Sequence, residues 1–162
     1  MNTIDQECCP KFEVEKWDRK TFDWANKPFI KESMATFCHI PFPPSIGKKI
    51  TRMHTAALDQ GAAIPDKTDV LILFRDPSAF KSEIFYAVTK NVEGAENTAI
   101  SGRFVARVFD GKYNKVPMFI KEMEKYLKED GKVAKDYYIH YAYCPKCAQE
   151  FGNNYMIIFA LI

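Results

Sequence analysis

The chain has 162 residues, 47% apolar and 14% aromatic, enough for one domain with a substantial core and no metal or disulfide needed to hold it. Its 23 Lys and Arg against 21 Asp and Glu leave a net charge of +2 with no basic block, so nucleic acid is not an expected partner. No apolar run approaches the roughly 20 residues that span a bilayer, and the opening MNTIDQECCPKF lacks the basic start and apolar middle of a signal peptide, which predicts a cytoplasmic protein with reduced thiols and no membrane partner.

In chain order, residues 1–20 are charged with scattered aromatics and no strong period, and read as an arm that wraps the domain. Residues 21–32 read as a β-hairpin turning at Ala25, Asn26 and Lys27, since Asn tolerates the left-handed conformation of a tight turn. MATFCHIP follows as a strand, with Cys38 a small core residue, and it ends at the prolines at 41, 43 and 44. Ser45 is placed to N-cap a helix running to about Asp59, whose apolar face is Ile46, Ile50, Met53 and Ala57 and whose end is Gly61.

DVLILF is then a short buried strand, RDPSAFKS a loop and EIFYAVTK a returning strand. The order repeats: GRFVARVF is a strand, Pro117 opens a helix with Phe119, Met123, Tyr126 and Leu127 on its apolar face, and Gly131 closes it. DYYIHYAY is a strand, CPKCAQEFGN a loop and NYMIIFALI the final strand. From Cys38 to Leu73 is 35 residues and from Val105 to Tyr141 is 36, so the strand–helix–strand parts match in length. The expected fold is α+β: a single domain over 1–162, with an arm (1–20) and hairpin (21–32) before two tandem β-α-β-β repeats at 33–90 and 98–162.

The stretches SGRFVARVFDGKYNKVPMFIKEMEKYL and LILFRDPSAFKSEIFYAV resemble the GyrI-like small-molecule-binding family, relatives of the effector-binding domains of multidrug-responsive transcription activators; the likeness covers about residues 33–162. It implies two repeats related by a pseudo-twofold axis, with a groove between them that holds an organic ligand. Some members of that family are hydrolases. The aromatic N-terminal segment and the thiol-bearing loop depart from the family pattern.

Several residues then stand out as site candidates. Period 2 places Glu83, Phe85 and Ala87 on one strand face, and a carboxylate beside Phe85 is suited to a polar or cationic ligand group, or to acid/base work if burial raises its pKa; a strand-end glutamate in water is the plainer alternative. In DYYIHYAY, Tyr137, Tyr141 and Tyr143 share one face and Tyr138 and His140 the other, and tyrosine hydroxyls need partners that a ligand groove supplies. Trp17 and Trp24 are placed either to lid that groove or to anchor the arm. Glu83, Phe85, Tyr141, Trp17 and Trp24 are therefore the expected ligand contacts, for binding of a small, mostly apolar organic molecule. The alternative is a hydrolase with Glu83 as general acid/base.

Cys144 and Cys147 stand in a Cys-x-x-Cys arrangement, with Cys8 and Cys9 at the opposite end of the chain. A redox reading needs a following helix, and Gly152 leaves only 148–151 for one. A structural zinc held by Cys8, Cys9, Cys144 and Cys147 fits better, with His140 a substitute fourth ligand; ordinary thiols are the competing reading. No nucleophile–histidine spacing involves His39 or His54, and GAENTAISG is not a phosphate loop.

Overall fold

Continuous apolar runs such as VLILF, IFYAV and YMIIFALI demand strands buried on both faces, and a closed sheet with helices outside supplies them. The computed structural model describes residues 9–37, 40–41 and 43–162. In chain order the elements are α1 (Val14–Trp17), β1 (Lys20–Phe37), β2 (Ile40–Pro41), α2 (Pro43–Asp59), β3 (Ile72–Ser78), β4 (Lys81–Ala87), β5 (Glu96–Asp110), α3 (Val116–Glu129), β6 (Asp136–Tyr141), α4 (Pro145–Phe151) and β7 (Tyr155–Leu161). The fold is α+β, and α4 stands between the last two strands where two tandem β-α-β-β units would have a loop.

The strands lie in the order β2-β1-β4-β3-β6-β7-β5, and β1 pairs with β5 as well. That pairing closes six strands into an antiparallel barrel, which removes the exposed edges an open sheet would present. The closure depends on the length of β1: Lys20–Lys31 pair with β5, while Phe29–Ala35 pair with β4. The hairpin expected over 21–32 does not exist. Asn26 does take a left-handed φ of 52°, but the chain bulges between Trp24 and Lys27 and continues along β5. A bulge wins over a turn because β5 offers partners on both sides of it. The boundary drawn at 33 therefore falls inside one continuous strand.

Period-2 alternation sends one set of side chains into the barrel and the other outward. Inside lie Phe29, Leu73, Phe85, Phe104, Ile157 and Phe159, joined by Trp17 from α1. Outside, α2 covers Ile30, Met34, Ile84 and Tyr86 with Met53 and Ala57, and α3 covers Val105, Phe109, Met156 and Ile158 with Phe119, Met123 and Leu127. Phe29, Phe104 and Phe159 are fully buried, worth up to about 1.5–3 kcal/mol each relative to exposure. Both helical apolar faces are those expected. Helix α2 starts at Pro43, two residues before Ser45, prolines being suited to a first turn.

Two loops differ from expectation. RDPS belongs to β3, with a register shift between Arg75 and Ser78 that accommodates Pro77, so only Ala79 and Phe80 separate β3 from β4. CPKCAQEFGN contains α4, which starts at Pro145 and ends at Gly152 with φ 73°.

The arm covers the barrel end where β1 begins. There Trp17 meets Phe22 and Phe159, Lys16 pairs with Asp69, and Asp18 Oδ1 accepts the Val108 N–H at 2.9 Å. Charged side chains from four strands occupy the opposite end.

Candidate ligand-binding site

At that opposite end, neighbouring strands put four ionisable side chains side by side. Lys31 is opposite Phe85 across β1 and β4, and Arg75 is opposite Glu83 across β3 and β4. Glu83 is 5% exposed. It pairs with Lys31 through one oxygen and accepts the Arg75 Nη1–H through the other at 2.8 Å, while Arg75 Nε donates to Asp136 at 2.5 Å. Burial alone pushes the Glu83 pKa up, but hydrogen bonds from Lys31 and Arg75 outweigh it and hold the carboxyl below its ordinary range. Acid work would need a raised pKa, and these hydrogen bonds favour the opposite: at neutral pH Glu83 is an ionised acceptor.

Behind this ion cluster runs a closed circuit of aromatic rings. Trp24 meets Phe29 at 6.3 Å, Phe29 meets Phe85 at 6.3 Å, Phe85 meets Tyr138 at 5.7 Å, Tyr138 meets Phe104 at 5.9 Å, and Phe104 meets Trp24 at 4.5 Å. The Lys31 ammonium lies 5.8 Å from the Phe85 centroid and that of Lys27 lies 5.7 Å from Trp24, so the collar already faces cations. Trp24 is half-buried beside the β1 bulge, and Tyr138 is half-buried with its phenol pKa raised, mainly by burial. A cleft of about 410 Å³ lies outside the barrel between α2 and β1, with Lys31, Glu96, Arg52 and Met53 in its lining but neither Glu83 nor any ring of the collar.

Three of the expected contacts, Glu83, Phe85 and Trp24, come together here. Two do not. Tyr141 points to the α3 side of the sheet, its ring against Phe74 and its pKa pushed up to about 12, chiefly by burial. Trp17 faces the barrel interior from the arm end, as an anchor for the arm. Sequence reasoning missed Lys31, Arg75, Asp136, Phe29 and Phe104 as members of the site. It placed Tyr138 on the face opposite Tyr141, and that was the available signal for the collar.

The thiols form a second cluster, at the arm end. Cys144 precedes the first turn of α4 and Cys147 lies in it, one helical turn apart on one face, and the arm brings Cys9 to them. The three sulfur atoms lie within 4.8 Å of one another, and Cys9 Sγ accepts the Cys144 N–H at 3.3 Å. Burial is the main cause that pushes the Cys9 thiol pKa up. Three thiolates at such a separation fit a thiophilic ion such as zinc. Cys8 lies outside the described residues. His140 does not join the cluster: its Nδ1 accepts the Ile72 N–H at 3.0 Å, facing β3. The following segment was expected to be too short for a redox helix, yet α4 starts at Pro145 and has seven residues.

Comparison with known proteins places this architecture. A family model described as "Bacterial hydrolase" matches residues 1–162. Among solved structures, the C-terminal domain of EcmrR superposes with a TM-score of 0.63 at 11% identity, over 90% of this chain and 96% of its own. A hydrolase from Listeria innocua gives 0.60 at 10% identity, over 93% and 99%. SAV2435 bound to tetraphenylphosphonium gives 0.52 at 13% identity, over 88% and 92%. At these identities the likeness is one of fold alone. No curated protein matches the sequence.

Proposed function

The chain belongs to the bacterial hydrolase family, and from that premise we propose that it binds a small, mostly apolar organic molecule at the Glu83 end of the barrel. The observation that carries this reading is a nearly buried carboxylate set against a closed collar of five aromatic rings. The rings supply apolar area and π-faces, and Glu83 supplies a strong acceptor beside them. A cationic ligand takes the place of the Lys31 ammonium on Glu83 and on the Phe85 face. Trp24, half-buried beside a bulge, is the ring with room to move aside. In this reading the two β-α-β-β units are pseudo-twofold repeats and the ligand sits where they meet. The protein acts in the reducing cytoplasm, and the thiol cluster holds a structural zinc.

A fold neighbour carries tetraphenylphosphonium, which makes that bulky organic cation a suitable first probe. It should raise the melting temperature and change tryptophan fluorescence, and Glu83→Gln should weaken it by about tenfold, or about 1.4 kcal/mol. The reading fails if neither this probe nor a broad library of organic molecules shifts either signal.

Hydrolysis is the second reading, favoured by the full-length family match. Glu83, held ionised by Lys31 and Arg75, would accept a proton from water; that makes it a general base and not an acid. Binding and turnover separate cleanly in a long incubation of a stabilising compound. Unchanged recovery counts against catalysis, and a Glu83→Gln protein that binds but yields no product counts for it.

A further inference from the structure

The arm from Cys9 to Trp17 has poor means of holding itself down. Lys11, Glu13 and Glu15 are exposed, and an open space of about 450 Å³ lies between this segment and Tyr155. Lys16 pairs with Asp69, but the attachments before it converge on the corner between β6 and β7: Cys9 Sγ to the Cys144 N–H, the Phe12 N–H to Tyr143 Oη at 2.9 Å, and the Phe12 ring 5.4 Å from Tyr155. Yet this segment delivers Trp17, 7% exposed, into the barrel. We infer that Cys9, Cys144 and Cys147 hold a thiophilic metal ion, zinc under ordinary supply, as a three-thiolate centre with an exchangeable fourth ligand, and that this ion latches the arm across the barrel end. The inference rests on reading the thiol cluster as a zinc site.

Among the described residues no histidine or carboxylate joins the three sulfurs, and His140 is turned to Ile72, so those residues supply three ligand atoms to an ion that favours four. Water or a small thiol completes the set. On binding, the thiols give up their protons to solvent and the thiolates go to the metal. Cys9 and Cys144 are 135 residues apart, so the ion closes nearly the whole chain into a loop, and its binding energy becomes stability of the arm and of the end it covers. A closed four-thiolate site, as expected from the sequence, would be inert; an open position allows exchange with cadmium or a competing thiol and so makes the latch reversible.

The experiment uses the full chain, purified without chelator or affinity metal. Elemental analysis should find about one equivalent of zinc, lost in the Cys144→Ser/Cys147→Ser double variant. Chelation of the wild-type protein should speed amide exchange over residues 11–18 by at least about tenfold while leaving β4 and its Glu83 unchanged. Cadmium substitution should give the same thiolate charge-transfer band in wild type and Cys8→Ser. Bound zinc with arm exchange unchanged on chelation overturns the latch and leaves the zinc reading standing. A band that falls in Cys8→Ser overturns the open fourth position. Less than about a tenth of an equivalent of zinc, with no uptake on titration, removes both.

Discussion

Replacing Glu83 by Gln leaves the side-chain shape almost unchanged and removes the charge that Lys31 and Arg75 share. Removing one partner of a buried ion pair costs about 3–5 kcal/mol. Here the Lys31 and Arg75 side chains keep 23% and 31% of their exposure, so water recovers part of each cation's solvation. The new amide oxygen can still accept from Arg75. The expected cost is therefore about 2 kcal/mol, which in a chain of this size lowers the melting temperature by about 4–8 °C. The pH dependence gives the sharper test. Glu83 has its pKa lowered in the folded protein, so the stability it contributes is present above the unfolded glutamate value of about 4.3 and is lost as pH falls through the lower folded value. Denaturant unfolding of wild type and Glu83→Gln at steps between pH 7 and 3 should show a constant gap down to about pH 4.5 that closes below it. A gap under about 0.5 kcal/mol at pH 7, or one that persists unchanged to pH 3, would refute the assignment of Glu83 as a doubly paired carboxylate.

Other positions give independent tests. Burial pushes the His140 pKa down to about 4, so its contribution is full above the unfolded value of about 6.5 and is lost as pH falls through the folded one; His140→Gln should flatten wild-type stability loss across that window by about 2 kcal/mol, measured by unfolding. Gly102 has φ 144° and a Cβ there would stand 2.5 Å from Leu161 Cδ1, so Gly102→Ala should cost about 1–3 kcal/mol in the same assay. Trp17→Ala should cost about 3–5 kcal/mol and expose the arm to proteolysis, whereas Trp24→Ala should cost less and mainly remove probe binding, measured by titration with tetraphenylphosphonium.

Much of this protein was legible in local sequence pattern. Strand alternation separated Glu83 and Phe85 from Ile84 and Tyr86, and Tyr138 from Tyr141, because side-chain direction in a strand follows from period 2 alone. The helical faces of Met53 and Ala57 and of Phe119, Met123 and Leu127 were equally readable from period 3.6. Cross-strand register was not. Nothing local says that Lys31 lies opposite Phe85, or that Arg75 and Asp136 meet beside Glu83, since those pairings depend on which strands become neighbours when the barrel closes. The same closure turned the expected hairpin at Ala25–Lys27 into a bulge: Asn26 adopts the backbone conformation its type permits, but β5 pairs with both flanks and keeps the chain straight. Residue types thus determined which positions face the core and which thiols were available. Only the tertiary structure decided that Glu83 is an ionised, doubly paired carboxylate and that Cys9 meets Cys144 and Cys147, because charge state and ligand sets depend on distances between residues far apart in the chain.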